Sequence, residues 1–270
     1  FYANYNGFAF ASDVNVIPIT SKIEDNFALP SIHEFENKIN GKTRAILLCN
    51  PCNPTGYVYS QEEITNIANL AKKNDLFIVV DEVYREFIYT DTKHFSILED
   101  EKFSENAILI DSTSKRYSLC GARVGFIVSK NSEFIETCLK FALTRLSPPT
   151  LALIAANHAL NSREDYIENV IKEYYKRREV IINELSQIDN IKFSNPMGAF
   201  YSIIKLPIEN AEDFAKFLLT NFSYKNQSVM LSPASGFYSS ENYGKDEVRI
   251  AFVLNSEKLK NAIKIIKLGL

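Results

Sequence analysis

The sequence predicts an α/β fold, a three-layer, mostly parallel sheet covered by helices, followed by a smaller C-terminal α/β domain. Up to about residue 130, apolar runs without polar alternation are separated by stretches with helical periodicity, which is typical of a sheet covered on both faces. After residue 131 the pattern changes to helices and then to short strands. Because 270 residues suffice for two domains, we expect a large domain over residues 1–172 and a small one over 173–270.

The elements of the first part follow from local patterns. The helix predicted over Gln61–Ala71 has apolar residues at 64, 67, 68, 70 and 71, with Ser60 as its N-cap, and Ile32–Ile39 also has helical spacing. Strands are predicted where the apolar runs are continuous, at Val14–Ile19, Arg44–Cys49, Leu76–Val80, Asn106–Asp111 and Arg123–Val128.

The second part begins with a long helix predicted over Arg163–Leu185, where the apolar residues keep helical spacing. Helices are also expected over residues 211–221 and 256–267. Short strands are predicted at Ile191–Phe193, Phe200–Leu206, Ser228–Leu231 and Glu247–Val253.

Charge and composition argue against several classes of protein. A formal net charge of −3 and the lack of a long basic block argue against nucleic-acid binding. No apolar stretch reaches the ~18 residues that span a bilayer and no signal peptide is visible, so we expect a cytoplasmic protein without a membrane partner. Cys49 and Cys52 form a single CxxC, which we interpret as structural thiols in a reducing cytosol, and we predict no metal site.

Polar clusters follow three of the predicted buried strands, at Asn50–Gly56, Asp81–Tyr84 and Ser112–Lys115. In parallel sheets, ligands collect outside the carboxyl ends of the strands. We therefore expect the three clusters to converge in space.

Lys115 is the most informative residue of these clusters. Burial at the end of a strand lowers the pKa of a lysine from about 10.4, a cost that is explained if the amine is a nucleophile toward an aldehyde. Taken alone, the position of Lys115 favours a surface lysine in a Ser/Thr-rich turn, and Asp81 is compatible with a helix cap or a solvated strand end. Arg249 lies in an apolar strand, where it needs an anionic partner if it faces inward and none if it faces water.

Taken together, five motifs resemble the fold-type I pyridoxal-phosphate (PLP) enzymes, specifically the class I/II aminotransferases that include aspartate aminotransferases. The resemblance covers essentially the whole chain, in the family's order and spacing. The motifs are Asn53-Pro-Thr-Gly56, Asp81-Glu-Val-Tyr84, Ser112-Thr-Ser-Lys115 with Arg123, Pro196-Met-Gly-Ala-Phe-Tyr201 and Arg249-Ile-Ala-Phe252.

The resemblance implies a PLP site with assigned residues. Lys115 resembles the Schiff-base lysine that also moves a proton between the substrate Cα and the cofactor. Asp81 resembles the carboxylate that pairs with the pyridinium nitrogen, and Tyr84 and Asn53 resemble the donors to the ring's phenolic oxygen.

The remaining implied residues hold the phosphate and the substrate. Ser112, Ser114 and Arg123 resemble phosphate ligands, although Ser114 could serve only to cap the turn. Arg249, together with Asn53, resembles the site that grips the α-carboxylate of the substrate, and Gly198 marks a close backbone approach near it. The implied reaction is amino transfer between an amino acid and a 2-oxo acid.

The chain departs from the family at its N-terminus. It begins at Phe1 without a methionine, whereas family chains continue upstream with an arm to the partner subunit, a glycine loop at the cofactor phosphate and a stacking aromatic residue. We therefore expect a fragment whose large PLP-binding domain lacks its N-terminal part. On its own it should bind PLP weakly, have little activity and expose sheet surface. The resemblance implies a homodimer for the parent protein.

The sequence is also compatible with two alternative functions, and it offers one hypothesis about substrate preference. The same residues serve PLP-dependent β-lyases that cleave C–S bonds, and some regulators carry a non-catalytic aminotransferase-like domain. Arg145 precedes Leu146-Ser-Pro-Pro149, a segment that in this family reaches the neighbouring subunit's site. It is interpreted either as a contact to a distal substrate carboxylate across the dimer or as a surface helix cap.

Overall fold

The computed structural model describes residues 1–161, 164–240 and 242–270, except for the side chain of Glu164. The described helices are α1 to α9, in order Asn4–Ala11, Ile32–Glu36, Gln61–Lys73, Thr113–Arg116, Ser132–Arg145, Thr150–Leu160, Glu164–Leu185, Ala211–Thr220 and Ser256–Gly269. The described strands are β1 to β8, in order Ala45–Cys49, Phe77–Asp81, Ala107–Ser112, Gly125–Val128, Lys192–Phe193, Tyr201–Lys205, Ser232–Pro233 and Glu247–Ala251. Short 3₁₀ helices lie at Ile23–Asp25, Ile97–Glu99, Glu101–Phe103, Cys120–Ala122 and Ser235–Phe237.

The chain divides into two compact units, each built around one sheet. The mixed-sheet unit consists of Ser31–Pro51 and Val58–Ile171. The antiparallel-sheet unit consists of Phe1–Pro30, Cys52–Tyr57 and Lys172–Leu270. The first thirty residues thus belong to the same unit as the C-terminal hundred. The division into functional domains at residue 172 stays a prediction.

In the mixed-sheet unit, strands β1, β2 and β3 are parallel neighbours and β4 pairs antiparallel with β3. The predicted α/β class with a mostly parallel sheet is confirmed. The central strands are apolar because they are buried: Ile78 and Val80 of β2 are fully inaccessible to solvent. At the edge, Ile127 and Val128 of β4 are about half exposed.

Helix α3 shows how the sequence fixes one element of this unit. Ser60 accepts a hydrogen bond from the Glu63 backbone N–H, and the Glu63 side chain accepts one from the Ser60 N–H, so a capping box begins the helix as predicted. Its apolar stripe is buried and packs against β2. Asn74 ends the helix, with its N–H bonded to backbone carbonyls of the last turn.

The antiparallel-sheet unit has the strand order β5-β6-β8-β7, with all neighbours antiparallel. Helices α8 and α9 bury apolar faces in this unit. Ile23 and Phe27, from the first thirty residues, pack in one buried cluster with Ile203, Ala234 and Phe237. This packing places the N-terminal segment in the C-terminal core.

Two predicted strands are wrong. Val14–Ile19 is not a strand, because Pro18 has no N–H to give to a ladder and most of the segment is exposed or half-exposed. Ser228–Leu231 is irregular, and the strand follows it at Ser232–Pro233. The long helix is described from Glu164 to Leu185, and the predicted first residue, Arg163, lies outside the described residues.

Candidate active site

The carboxyl ends of the three parallel strands lie at one edge of the mixed sheet. Cys49 is the register partner of Asp81, which in turn is the partner of Ile110, and the Asn50 N–H donates to the Asp81 carbonyl at 2.9 Å. The predicted convergence is confirmed for the parts of the polar clusters that belong to this unit. The Asp81 carboxylate accepts a hydrogen bond of 3.2 Å from the Val83 N–H, which fixes its direction at the end of β2.

Lys115 and Tyr84 come from neighbouring segments at this edge. Lys115 lies in α4, the single helical turn after β3, and its Nζ is 5.7 Å from the centroid of the Tyr84 ring. Tyr84 follows β2 and is 2% exposed, whereas Lys115 is half-buried. At this distance a lysine amine interacts favourably with the face of an aromatic ring.

Ser112 and Ser114 are occupied by local hydrogen bonds. The Ser112 hydroxyl donates to Ser114 Oγ at 2.8 Å or to the Val124 carbonyl at 3.0 Å, and it accepts from the Ser114 N–H as the N-cap of α4. Arg123 is exposed, has a left-handed backbone (φ 56°) and donates from Nη1 to the Cys120 carbonyl at 2.9 Å. Because Ser112 pairs with Gly125 in the sheet, Arg123 lies at the same edge as the two serines.

Arg249 and Asn53 form a second set in the antiparallel-sheet unit. The Arg249 guanidinium carbon lies 4.5 Å from the centroid of the Tyr201 ring and 4.6 Å from that of Phe237. Its Nη1 donates to the Asn53 side-chain oxygen at 3.0 Å, and its Nε is buried without a hydrogen-bond partner among the described residues. Two ring faces and an amide thus hold a cationic fork that suits a carboxylate.

Gly56 joins the Asn53 loop to the Pro196–Tyr201 segment. The N–H groups of Met197 and Gly198 both donate to the Gly56 carbonyl, at 2.8 and 2.9 Å. Gly56 has φ +74°, and a Cβ there would lie 2.4 Å from that of Pro196. Buried Arg178 donates to the Pro196 carbonyl at 2.6 Å and to the Asn195 side chain at 2.7 Å, which holds this segment in place.

Comparison with protein families gives a match along nearly the whole chain. The model for aminotransferase class I and II matches residues 1–266. The chain belongs to this family.

The most similar class I and II aminotransferases include curated aspartate aminotransferases and their structures. The chain is 32% identical to the aspartate aminotransferase of Bacillus sp. (strain YM-2), over 91% of this chain and 62% of the relative. It is 31% identical to the one from Pyrococcus horikoshii, over 100% of this chain and 67% of the relative. The crystal structure of aspartate aminotransferase from Thermotoga maritima superposes with a TM-score of 0.86 at 29% identity, over 98% of this chain and 66% of that one.

The chain therefore spans about two thirds or less of the length of these aminotransferases. Relatives of other named activity also match. The (5-formylfuran-3-yl)methyl phosphate transaminase of Methanocaldococcus jannaschii is 32% identical over 88% of this chain and 60% of the relative. Family membership alone thus leaves the substrate undecided.

The structure also shows a charged cluster next to Lys115 that the sequence analysis did not assign to the site. The cluster consists of Arg85, Glu86, Asp111 and Arg116, and is called the ion-pair cluster below. Burial lowers the pKa of Arg85, but the carboxylates of Asp111 and Glu86 outweigh this and leave the pKa above its ordinary value. Arg85 and Glu86 follow Tyr84 in the chain and Arg116 follows Lys115, but nothing in the sequence shows that these charges are brought together.

No helix among the residues that the structure describes has both the length and the apolar character needed to cross a bilayer.

Proposed function

We propose that the protein is a PLP-dependent transaminase. It would move an amino group between an L-amino acid, aspartate or a related one, and a 2-oxo acid. The observation that carries this proposal is the Lys115 amine, 5.7 Å from the Tyr84 ring at the sheet edge where Asp81 ends β2. Membership of the class I and II aminotransferases supports it.

The chemistry of these side chains fits PLP. The edge of the mixed sheet offers a primary amine, a buried phenol and a carboxylate held in one direction by the Val83 N–H. When bound, PLP supplies an aldehyde that joins an amine and a ring that accepts electrons from the substrate Cα. Asp81, Tyr84, Lys115, Ser112, Ser114, Arg123 and Asn53 are the proposed ligands of PLP.

Each proposed ligand has a physical task. Asp81 would keep a proton on the ring nitrogen, because a neighbouring carboxylate favours the charged form. Lys115 would take a proton from the substrate Cα as general base and deliver it to the cofactor as general acid. Tyr84 would donate from its hydroxyl to the ring oxygen, while Arg123 would supply a two-pronged donor for the phosphate.

Arg249 is the proposed site for the α-carboxylate of the substrate. Asn53 and the two aromatic faces fix the orientation of its guanidinium. A bidentate pair with the carboxylate would hold the substrate in one orientation, so that the Cα–H bond presents itself to a base. The buried Nε without a partner in the described part of the chain supports a role in ligand binding.

The finer assignments are part of the same proposal. We propose a homodimer and a cytoplasmic location for the whole protein, with amino acids and 2-oxo acids as substrates. Arg145 is the exposed last residue of α5. We propose that it contacts the distal carboxylate of a substrate that is bound in the neighbouring subunit. Because the chain covers only part of its relatives, we expect weak PLP binding and little turnover from these 270 residues alone.

A trapping experiment tests the Lys115 assignment without requiring turnover. The chain is mixed with PLP, reduced with borohydride and digested, and each lysine is scored by mass spectrometry for the pyridoxyl group. We expect Lys115 to be modified first, and the Lys115→Arg variant to lose this selective modification. Lys130→Arg, a change of an exposed lysine, serves as the control. Modification spread over the lysines according to their exposure would refute the assignment.

Turnover by the whole protein then separates reaction types. We expect aspartate and 2-oxoglutarate to give oxaloacetate and glutamate, and Arg145→Ala to lower the preference for aspartate over aromatic amino acids. An unchanged preference would remove Arg145 from the proposal. Release of pyruvate and ammonia from a cysteine conjugate would instead indicate a β-lyase.

A further inference from the structure

The members of the ion-pair cluster are close in the chain to residues proposed to bind PLP, and belong to the mixed-sheet unit. Arg116 is 5% exposed, and its Nη2 donates to both Asp111 oxygens at 2.7 Å. Its Nε lies 3.2 Å from Glu86 Oε1, an ion pair without hydrogen-bond geometry. Arg85 approaches the same carboxylates, at 3.1 Å from Glu86 and 3.5 Å from Asp111. Two cations and two anions therefore alternate in one set of contacts, in which Arg116 and Asp111 are buried and Arg85 is partly exposed.

Every member of the cluster adjoins a proposed site residue. Arg116 follows Lys115, Glu86 comes two residues after Tyr84, and Asp111 precedes Ser112. The Arg116 side chain thus joins α4 to two other segments, the end of β3 and the loop that carries Tyr84.

Helix α4 needs such support because it has only four residues. A single turn is unstable by itself, since nucleation fixes several residues for one hydrogen bond. Ser112 caps its start, and Arg116, its last residue, anchors its end. A small rotation of this turn would displace the Lys115 amine.

We propose that Arg116 and Glu86 are positioning residues that set the distance between the Lys115 amine and the Tyr84 ring. This proposal rests on the proposed function, because it assigns a purpose to the position of that amine. Asp111 fixes Arg116 to the strand, and Glu86 fixes the Tyr84 loop to Arg116. Arg85 completes the charge balance, so that both carboxylates keep a cationic partner in a buried place where an unpaired charge is costly.

The test uses variants of the whole chain and two readouts on the same lysines. The variants are Arg116→Met, Arg116→Lys and Glu86→Gln, and Arg177→Met is the control because Arg177 also forms an ion pair, with Glu173 at 2.8 Å, but belongs to the other unit. The first readout is borohydride trapping of PLP on Lys115. The second is reductive methylation of Lys115, which needs no PLP. Both are expressed relative to exposed Lys42, at a temperature where circular dichroism shows a folded chain.

We expect Arg116→Met to lower the Lys115-to-Lys42 ratio for PLP trapping by about ten-fold or more, since small misplacements of a reacting group are costly. Its methylation ratio should change as well. Arg116→Lys should retain part of the trapping, because an ammonium can pair with one carboxylate but cannot span both. Glu86→Gln, which keeps the shape and removes the charge, should act in the same direction and decides the test if Arg116→Met does not fold.

A role in stability alone would lower the melting temperature and leave both ratios at the values of the unchanged chain. That result in folded Arg116→Met and Glu86→Gln, or an equal loss in Arg177→Met, would overturn the proposal. If the unchanged chain does not trap PLP on Lys115, the proposed function fails, and the methylation ratio alone decides whether the ion-pair cluster positions the amine.

Discussion

Arg249 Nη1 donates a 3.0 Å hydrogen bond to the side-chain oxygen of Asn53, a residue 196 positions earlier in the chain. The bond joins the loop of the Asn-Pro-Thr-Gly motif to strand β8. Two motifs that are far apart in sequence therefore form one structural feature in the antiparallel-sheet unit. The Arg249 guanidinium is held by the Asn53 amide at one nitrogen and lies over the rings of Tyr201 and Phe237.

Arg249→Lys should weaken substrate binding more than it slows the reaction. A lysine keeps the charge but loses the fork, the stacking and the second donor, so we expect KM for the amino acid to rise by about 10- to 100-fold with a smaller change in kcat. Steady-state kinetics on the whole protein measure this. Arg177→Lys, in α7 of the same unit, is the matched control. Equal losses in kcat and kcat/KM would instead assign Arg249 to the chemical step.

Gly56→Ala should strongly destabilise the protein. The backbone there is left-handed, and the new Cβ would lie 2.4 Å from Pro196 Cβ and 2.9 Å from the Tyr201 carbonyl oxygen. We expect a loss of about 2–4 kcal/mol in the free energy of unfolding, from strain and overpacking together. Urea unfolding measures it. Gly41→Ala has no atoms within 4 Å of the new Cβ and should change little, so equal effects at the two positions would contradict the explanation.

Glu247→Gln should stabilise the protein in a pH-dependent way. Burial raises the pKa of the Glu247 carboxyl above its ordinary value of 4.5, and this outweighs the lowering by the hydrogen bond from Tyr238 at 2.6 Å. A raised folded-state pKa means that the folded protein favours the protonated form of the Glu247 carboxyl. The contribution of Glu247 to stability is complete below pH 4.5 and is lost as the pH rises through its folded-state pKa.

Glutamine can accept the Tyr238 hydrogen bond without becoming charged. The gain in melting temperature over the unchanged protein should therefore be small near pH 4 and larger near pH 8. Thermal melts across this range provide the measurement, with exposed Glu257→Gln as the control. A gain that does not depend on pH would show that burial of the Glu247 charge is not its cause.

Ser60→Ala should remove the capping box of α3. The first-turn N–H of Glu63 would lose its acceptor, at a cost of about 1 kcal/mol in the free energy of unfolding. Ser132→Ala is the control, since Asn131 caps α5 and Ser132 is already inside the helix. A similar cost for both changes would mean that capping is not the cause.

Local patterns in the sequence predicted most elements of the fold. The spacing around Ser60 and the continuous apolar run before Asp81 depend only on near neighbours, and both are confirmed. Val14–Ile19 failed as a strand because an apolar run does not show whether a partner strand exists. The place of Ile23 and Phe27 in the C-terminal core depends on packing over long separations, which no window of sequence contains.

In the candidate site, too, local patterns were predictable and contacts between distant residues were not. Motifs predicted Lys115, Asp81 and Tyr84 as site residues, and strand order explains why the ends of the strands that precede them share an edge. The ion-pair cluster could not be predicted, because each of its charges alone is indistinguishable from a solvated surface charge. Only the burial of Arg116 and its distances to Asp111 and Glu86 identify it.

The two compact units are interleaved along the chain, since the antiparallel-sheet unit is assembled from three separate segments. No single cut of the backbone releases either unit intact. A piece that ends near residue 172 would keep Ile23 and Phe27 but lose Ile203, Ala234 and Phe237, which pack with them. The apolar side chains of the N-terminal segment therefore pack only against residues from the last third of the chain. We expect folding to be slow, because these contacts require the closure of long loops.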